Sequence, residues 1–115
     1  MQETWTFDFI PTANPKEDIE RLLAEKDREL GIFLSYYYKK EGAVTENVKL
    51  KLGPDFESNT AGSMVLDFDL VHFNACLAIH EQVREEMTIR FEIDPNSQKI
   101  KLIGAYWPSR EMDEI

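Results

Sequence analysis

The stretch VHFNACLAIHEQVREEM, Val71 to Met87, decides the fold, because it satisfies two periodicities at once. Cys76, Ile79, Val83 and Met87 are spaced by three, four and four, which puts them on one face of a helix. Val71, Phe73, Ala75, Leu77 and Ile79 alternate with other residues, which puts them on one face of a strand. Ala75, Leu77, Ala78, Glu81, Gln82, Arg84, Glu85 and Glu86 mostly favour helix. Two strands would need a turn, and His80–Glu86 holds no Gly, Pro, Asn or Asp. The reading preferred from sequence is therefore a helix over 74–87.

Outward from this stretch, an order of elements occurs twice. Trp5, Phe7 and Phe9 alternate with Thr4, Thr6 and Asp8, a half-buried strand that Pro11 ends. Asn14-Pro15-Lys16-Glu17 opens a helix: Asn14 caps, Pro15 suits the first position, and Glu17 stands where a capping carboxylate reaches back. Ile19, Leu22, Leu23 and Leu30 form its apolar stripe, and Gly31 reads as its left-handed stop. Ile32–Tyr38, aromatic and branched, then reads as a strand, with a helix continued through Phe33, Leu34 and Tyr37 as the rival. Lys40-Glu41-Gly42 turns into a strand carrying Val44, Val48, Leu50 and Leu52. Gly53–Gly62 reads as a loop between halves. Met64, Leu66, Phe68 and Leu70 form one strand face, and Asp67 and Asp69 the other. Met87, Ile89, Phe91 and Ile93 alternate on a further strand; Asp94-Pro95-Asn96-Ser97 turns, and Lys99–Trp107 returns.

The expected fold class is α+β: a single antiparallel sheet with one or two helices packed on one face, in tandem βαββ order. Its core contains Trp5, Phe7, Phe9, Ile19, Leu22, Leu23, Leu66, Phe68, Ile89 and Phe91. If 74–87 is strand, the alternative is one helix wrapped by a curved sheet, a β-α-β4 order that resembles cystatin-like folds. The resemblance is one of topology, since the Gln-Val-x-Gly type of inhibitory hairpin is absent and Trp107-Pro108 stands in reverse order at the chain end. One domain is expected over 1–108, with a charged tail over 109–115.

The chain of 115 residues is long enough for one real core. Its 22 acidic against 13 basic side chains give a net charge of -9, which disfavours direct nucleic-acid binding and favours encounter with a basic partner. A lone Cys76 excludes an internal disulfide framework. Met1–Ile10 alternates instead of showing a charged-then-apolar leader, and no apolar run approaches the roughly 18 residues of a membrane span. These features together predict a reducing cytoplasm and no membrane.

No motif forces a reaction. Cys76 and His80 share a face only if the segment is helical, and the plain reading is a buried thiol beside a boundary histidine. His80-Glu81-Gln82-Val83-Arg84 begins like a zinc-protease motif, but Arg84 occupies the second ligand position and removes the metal pair. Asp67 and Asp69, with Asp8 on an equivalent face, could converge on a cation, or form the solvated side of amphipathic strands. No Gly-rich phosphate loop or nucleophile elbow is present. No cofactor, metal or catalytic residue is assigned, and a non-enzymatic reading is preferred to an enzymatic one.

The expected function is a small acidic binding protein, an inhibitor or immunity-type partner of a basic protein. Its contact residues are expected to be Tyr36 and Tyr38, as aromatic anchors, with Glu41, Glu46, Asp67 and Asp69 as steering carboxylates. The alternative is a curved-sheet pocket that binds a small ligand, with weak hydrolase or isomerase chemistry at Asp67, Asp69 or His80. A homodimer that pairs sheets is a third reading.

Overall fold

The computed structural model describes residues 1–74 and 79–108, the side chains of 73–81 excepted. Strand β1 (Thr4–Asp8) leads to helix α1 (Pro15–Glu25), helix α2 (Asp27–Tyr38) and a short 3-10 turn (Lys39–Glu41). Strands β2 (Ala43–Phe56), β3 (Ala61–Asn74), β4 (Ile79–Asp94) and β5 (Lys99–Ile103) follow. All five strands form one antiparallel sheet in the order β1-β5-β4-β3-β2. The α+β class with a single antiparallel sheet is as the sequence predicts. The tandem βαββ order is not, and the element order follows the alternative instead: one helical unit, then four strands. Among the described residues no helix is long and apolar enough to cross a membrane.

Helix α1 starts as its residues dictate. Asn14 Oδ1 accepts from the Glu17 amide at 3.3 Å, and Pro15 takes the first turn. Asp18 is buried and closes this corner: its carboxylate accepts from the Thr12 amide at 2.7 Å and from the Thr12 hydroxyl at 2.9 Å. The Thr12 amide, then the Thr12 hydroxyl and Arg21, hold the Asp18 carboxyl below the usual carboxylate range. The two helices are one kinked unit. The Lys26 amide donates to the Leu22 carbonyl and the Leu30 amide to the Lys26 carbonyl, both at 2.9 Å, so the hydrogen-bond ladder runs through the kink.

The first correction concerns Ile32–Tyr38, which is helix and not strand. Leu30, Phe33, Leu34, Tyr37 and Tyr38 are all buried, a continuation of the helical stripe. Each such burial contributes about 1.5–3 kcal/mol, whereas a helix-interior glycine costs about 1 kcal/mol. Gly31 is there for a different reason. A Cβ at Gly31 would stand 3.1 Å from the Thr45 carbonyl oxygen, so glycine lets α2 lie directly on β2. Three polar groups fasten the contact: the Thr45 hydroxyl donates to the Gly31 carbonyl at 2.6 Å, the Ser35 hydroxyl to the same carbonyl at 2.7 Å, and the Thr45 amide to the Ser35 hydroxyl at 2.9 Å. The left-handed stop is Gly42, at φ 70°, whose amide donates to the Lys39 carbonyl.

The second correction concerns 74–87. β3 and β4 pair without a register shift from Ala61↔Glu92 to Asn74↔Ile79, so 79–87 is strand. The turn that the sequence lacked between His80 and Glu86 is not needed there, because β3 ends at Asn74 and β4 begins at Ile79. Cys76 and the side chain of His80 lie outside the described residues, as does the tail over 109–115.

The expected core is buried as assigned, with Trp5 half-buried against its rim. Met64, Leu66 and Phe68 of β3 and Met87, Ile89 and Phe91 of β4 belong to the same buried cluster as the apolar stripe of the helices. The expected 53–62 loop is shorter than the sequence suggests. β2 runs on to Phe56 through the cis Gly53–Pro54 bond, and Asp55↔Ser63 and Phe56↔Gly62 still pair.

Gly31→Val should cost about 1–3 kcal/mol by overpacking the α2–β2 contact, measured as a lowered urea midpoint at unchanged slope. A second expectation follows from Asp18. Its folded carboxyl binds a proton more weakly than the unfolded chain, so its contribution is full above about pH 4 and is lost as pH falls through the depressed folded value. Asp18→Asn should therefore melt lower at pH 7, yet lose less stability than the native chain between pH 5 and pH 2. Parallel pH profiles for the two proteins would show that Asp18 does not carry this linkage.

Candidate partner-binding surface

The outer face of the sheet is polar because every second residue of an antiparallel strand faces water when one side is covered. Arg84, on that face of β4, reaches across β3 and forms a fork: Nη2 lies 2.9 Å from Asp67 Oδ1 and Nη1 lies 3.0 Å from Asp69 Oδ1. Nη1 also donates to the Asn47 carbonyl on β2 at 3.1 Å. Asn47 Nδ2 donates to Asp69 Oδ2 at 2.7 Å. The Asn47 amide first, then Arg84 and Gln82, hold the Asp69 carboxyl below its ordinary value. Lys51 pairs with Glu86, Arg90 with Glu57, and Lys99 with Asp8 on the same face. Asp67 and Asp69 thus share one cation, which offsets part of their charge. Asp8, on β1, is separated from them by β5 and β4 and does not converge with them. Among the described residues no three His, Cys, Asp or Glu side chains are placed to hold a metal ion.

Asn47 has φ 53° and opens a bulge in β2, where the ladder to β3 slips between Glu46 and Lys49. The freed Val48 amide donates to Asp27 Oδ1 at 3.1 Å, on the helix side. The bulge is therefore pinned from both faces of the sheet. On either side of this Asp27–Val48 link is an open hollow. One, of about 480 Å³, is floored by Leu23, Leu30, Leu50 and Leu66 and rimmed by Glu20 and Lys49. The other, of about 440 Å³, lies between α2 and β2, with Arg28, Ile32, Ser35, Val44 and Glu46 along it.

The contact residues expected from sequence are split by the fold. Tyr36 is 48% exposed on the outward face of α2, one turn from Ile32, itself 47% exposed. Tyr38 is buried, edge-to-face on Trp107 at 5.2 Å and tilted on Phe68 at 5.9 Å, and offers no surface. Burial, then the Glu85 and Glu41 carboxylates, push the Tyr38 phenol up to about 12. Glu41 is exposed on the 3-10 turn, and Glu46 is exposed on β2, opposite Asp69. Glu46, Asp67 and Asp69 come together on the outer face. Tyr36 stands apart from them, on the helix layer. Sequence reasoning overlooked Ile32, Val44, Asn47 and Arg84. An Asn within an alternating strand was the available signal for the bulge; nothing local marked Arg84, whose partners are on other strands.

No protein-family model, curated protein or solved structure matches this chain.

Arg84→Gln should leave Asp67 and Asp69 as adjacent like charges. The expected loss is about 1 kcal/mol in stability. By carboxyl NMR titration, Asp69 should move only part of the way back to its ordinary value, because Asn47 still donates to it.

Proposed function

We propose that this chain is a small acidic, non-enzymatic binding protein whose partner is a basic protein, in an inhibitor or immunity-type role. The observation that carries this reading is the groove between α2 and β2, where the half-exposed Ile32 and Val44 lie along the same wall as the Glu46 carboxylate, with the half-exposed Tyr36 one helical turn from Ile32. Exposed apolar side chains beside a carboxylate, with an aromatic anchor one helical turn away, are a composition that buries well against a partner and attracts a cationic one. The surplus of 22 acidic over 13 basic side chains supports the sign of that partner. Tyr36 supplies the anchor, and Glu46 and Glu41 steer the encounter. Asp67 and Asp69 contribute less to steering, because Arg84 already offsets their charge. The lone Cys76 fits a cytoplasmic setting.

A second reading, a small-ligand protein, is favoured by the 480 Å³ hollow, whose volume is in the range of small-molecule sites and whose leucine floor carries a polar rim. The two readings separate in one experiment, capture from the native lysate at low and high salt followed by analysis of co-purifying small molecules.

A basic protein should be retained at low salt and lost progressively as salt rises. With that partner in hand, Tyr36→Ala should cost about 2 kcal/mol, mainly by faster dissociation, and keep its effect in high salt. Glu46→Lys should slow association, and its effect should fade as the screening length drops from about 10 Å at 0.1 M to about 3 Å at 1 M. A co-purifying metabolite with no retained basic protein would replace this reading by the small-ligand one.

A further inference from the structure

β4 spans 16 residues, Ile79–Asp94, but β5 pairs with it only from Arg90 to Asp94. Beyond Ile103 the chain turns away from β4. The Gly104 amide donates to the Glu3 carbonyl, the Trp107 amide to the Met1 carbonyl, and Trp107 packs on Tyr37 and Tyr38. From Gln82 to Ile89, no described backbone group pairs with the side of β4 that faces away from β3. A strand edge of this kind presents a row of unpaired N–H and C=O groups to any incoming strand.

The edges of this sheet are treated differently. β2 is guarded along its length: its ladder to β3 slips three times, Asn47 has positive φ, and Lys49, Lys51 and Pro54 interrupt it. Those are devices that block strand pairing. β1 is only five residues long. The open part of β4 has no bulge, no glycine and no proline. Its outer polar side chains do not guard it either. Arg84 is drawn to Asp67 and Asp69, and Glu86 to Lys51, so both lean inward over the sheet. On the inner face Val83 is 52% exposed, and Glu85 is exposed with no ion pair among the described residues.

Charge decides the occupant. A second copy would pair antiparallel about a two-fold axis through one residue, which then stands opposite itself. Centred on Arg84, Glu85 or Glu86, that pairing puts like charges in direct opposition, between two chains of net charge -9. An extended segment with a basic residue opposite Glu85 and apolar residues opposite Val83 and Met87 meets no such conflict.

We infer that the Gln82–Ile89 edge of β4 is a strand-addition site for an extended basic segment of a protein partner. This rests on the reading of the chain as an acidic binder of a basic protein. Backbone pairing with β4 holds the segment, and the alternation Val83, Glu85, Met87 selects an apolar-basic-apolar face on it.

The test uses a labelled, end-blocked synthetic peptide, Thr-Val-Thr-Lys-Thr-Val-Thr, and two versions N-methylated at alternate residues. The peptide should bind saturably by fluorescence anisotropy. One methylated version should lose binding and the other retain it, because only alternate residues of an added strand donate to β4. Amide exchange should slow at alternate positions within Gln82–Ile89. Glu85→Lys, an exposed change expected to leave the melting midpoint unchanged, should weaken binding about tenfold. Absence of saturable binding, equal binding of all three peptides, or protection along Val44–Glu46 in place of β4 would overturn the edge site. The last result would still leave the acidic-binder reading standing, whereas that reading fails in the lysate capture, independently of the peptide.

Discussion

The contact on which the rest of the molecule depends is the close approach of α2 to β2 at Gly31. Thr45 is a buried polar residue of the α2–β2 contact, and it is accommodated there because Gly31 brings a helix carbonyl within reach of its hydroxyl. Ser35 completes the node by accepting from the Thr45 amide. An unpaired buried donor or acceptor costs about 1–3 kcal/mol, so the node sets the height and rotation of α2 as well as holding it down. Once that rotation is set, Phe33, Leu34, Tyr37 and Tyr38 must all face the sheet.

Tyr37 then acts at the far end of the helix. Its hydroxyl accepts from the Glu3 amide at 2.9 Å and donates to the Ala105 carbonyl at 2.8 Å. One side chain thereby ties the segment entering β1 to the segment leaving β5. Gly104 permits this, since a Cβ there would be 2.1 Å from the Tyr37 hydroxyl oxygen. Trp107 closes the cluster edge-to-face on Tyr37 and Tyr38. Most of the aromatic residues that looked available for recognition are consumed in this way. Tyr36 is left outside because it is the one tyrosine of the three that faces away from the sheet on a helix.

The same closure shapes the surfaces that remain. Pulling the continuation of β5 toward Tyr37 takes it off β4, which leaves that strand half-covered. The bulge at Asn47 keeps β2 against the kinked helix through Asp27, yet it also breaks the regular edge of β2. Among the described residues the sheet therefore has one irregular, guarded side and one regular stretch without a strand partner. Charge follows a similar division. The outer face interleaves cations and carboxylates in pairs, whereas Glu85, whose carboxylate acts on the buried phenol of Tyr38, is in no ion pair among the described residues.

Local chemistry was enough for several parts of this structure. The cap at Asn14-Pro15, the alternation of Trp5, Phe7 and Phe9, the two faces of β3 and the turn at Asp94–Ser97 depend on neighbours within a few residues, and all could be read from the chain. The single antiparallel sheet and most of the core followed from the same periodicities. What sequence could not supply was the state of two segments that fit both helix and strand. Ile32–Tyr38 became helix because a glycine that resembles a stop is, in three dimensions, a place of contact with Thr45. Ile79–Met87 became strand although Glu, Gln and Arg favour helix, because propensities of a few tenths of a kcal/mol per residue yield to cross-strand partners. Those partners, Asp67, Asp69 and Lys51, are on other strands, and only the tertiary structure brings them beside Arg84 and Glu86.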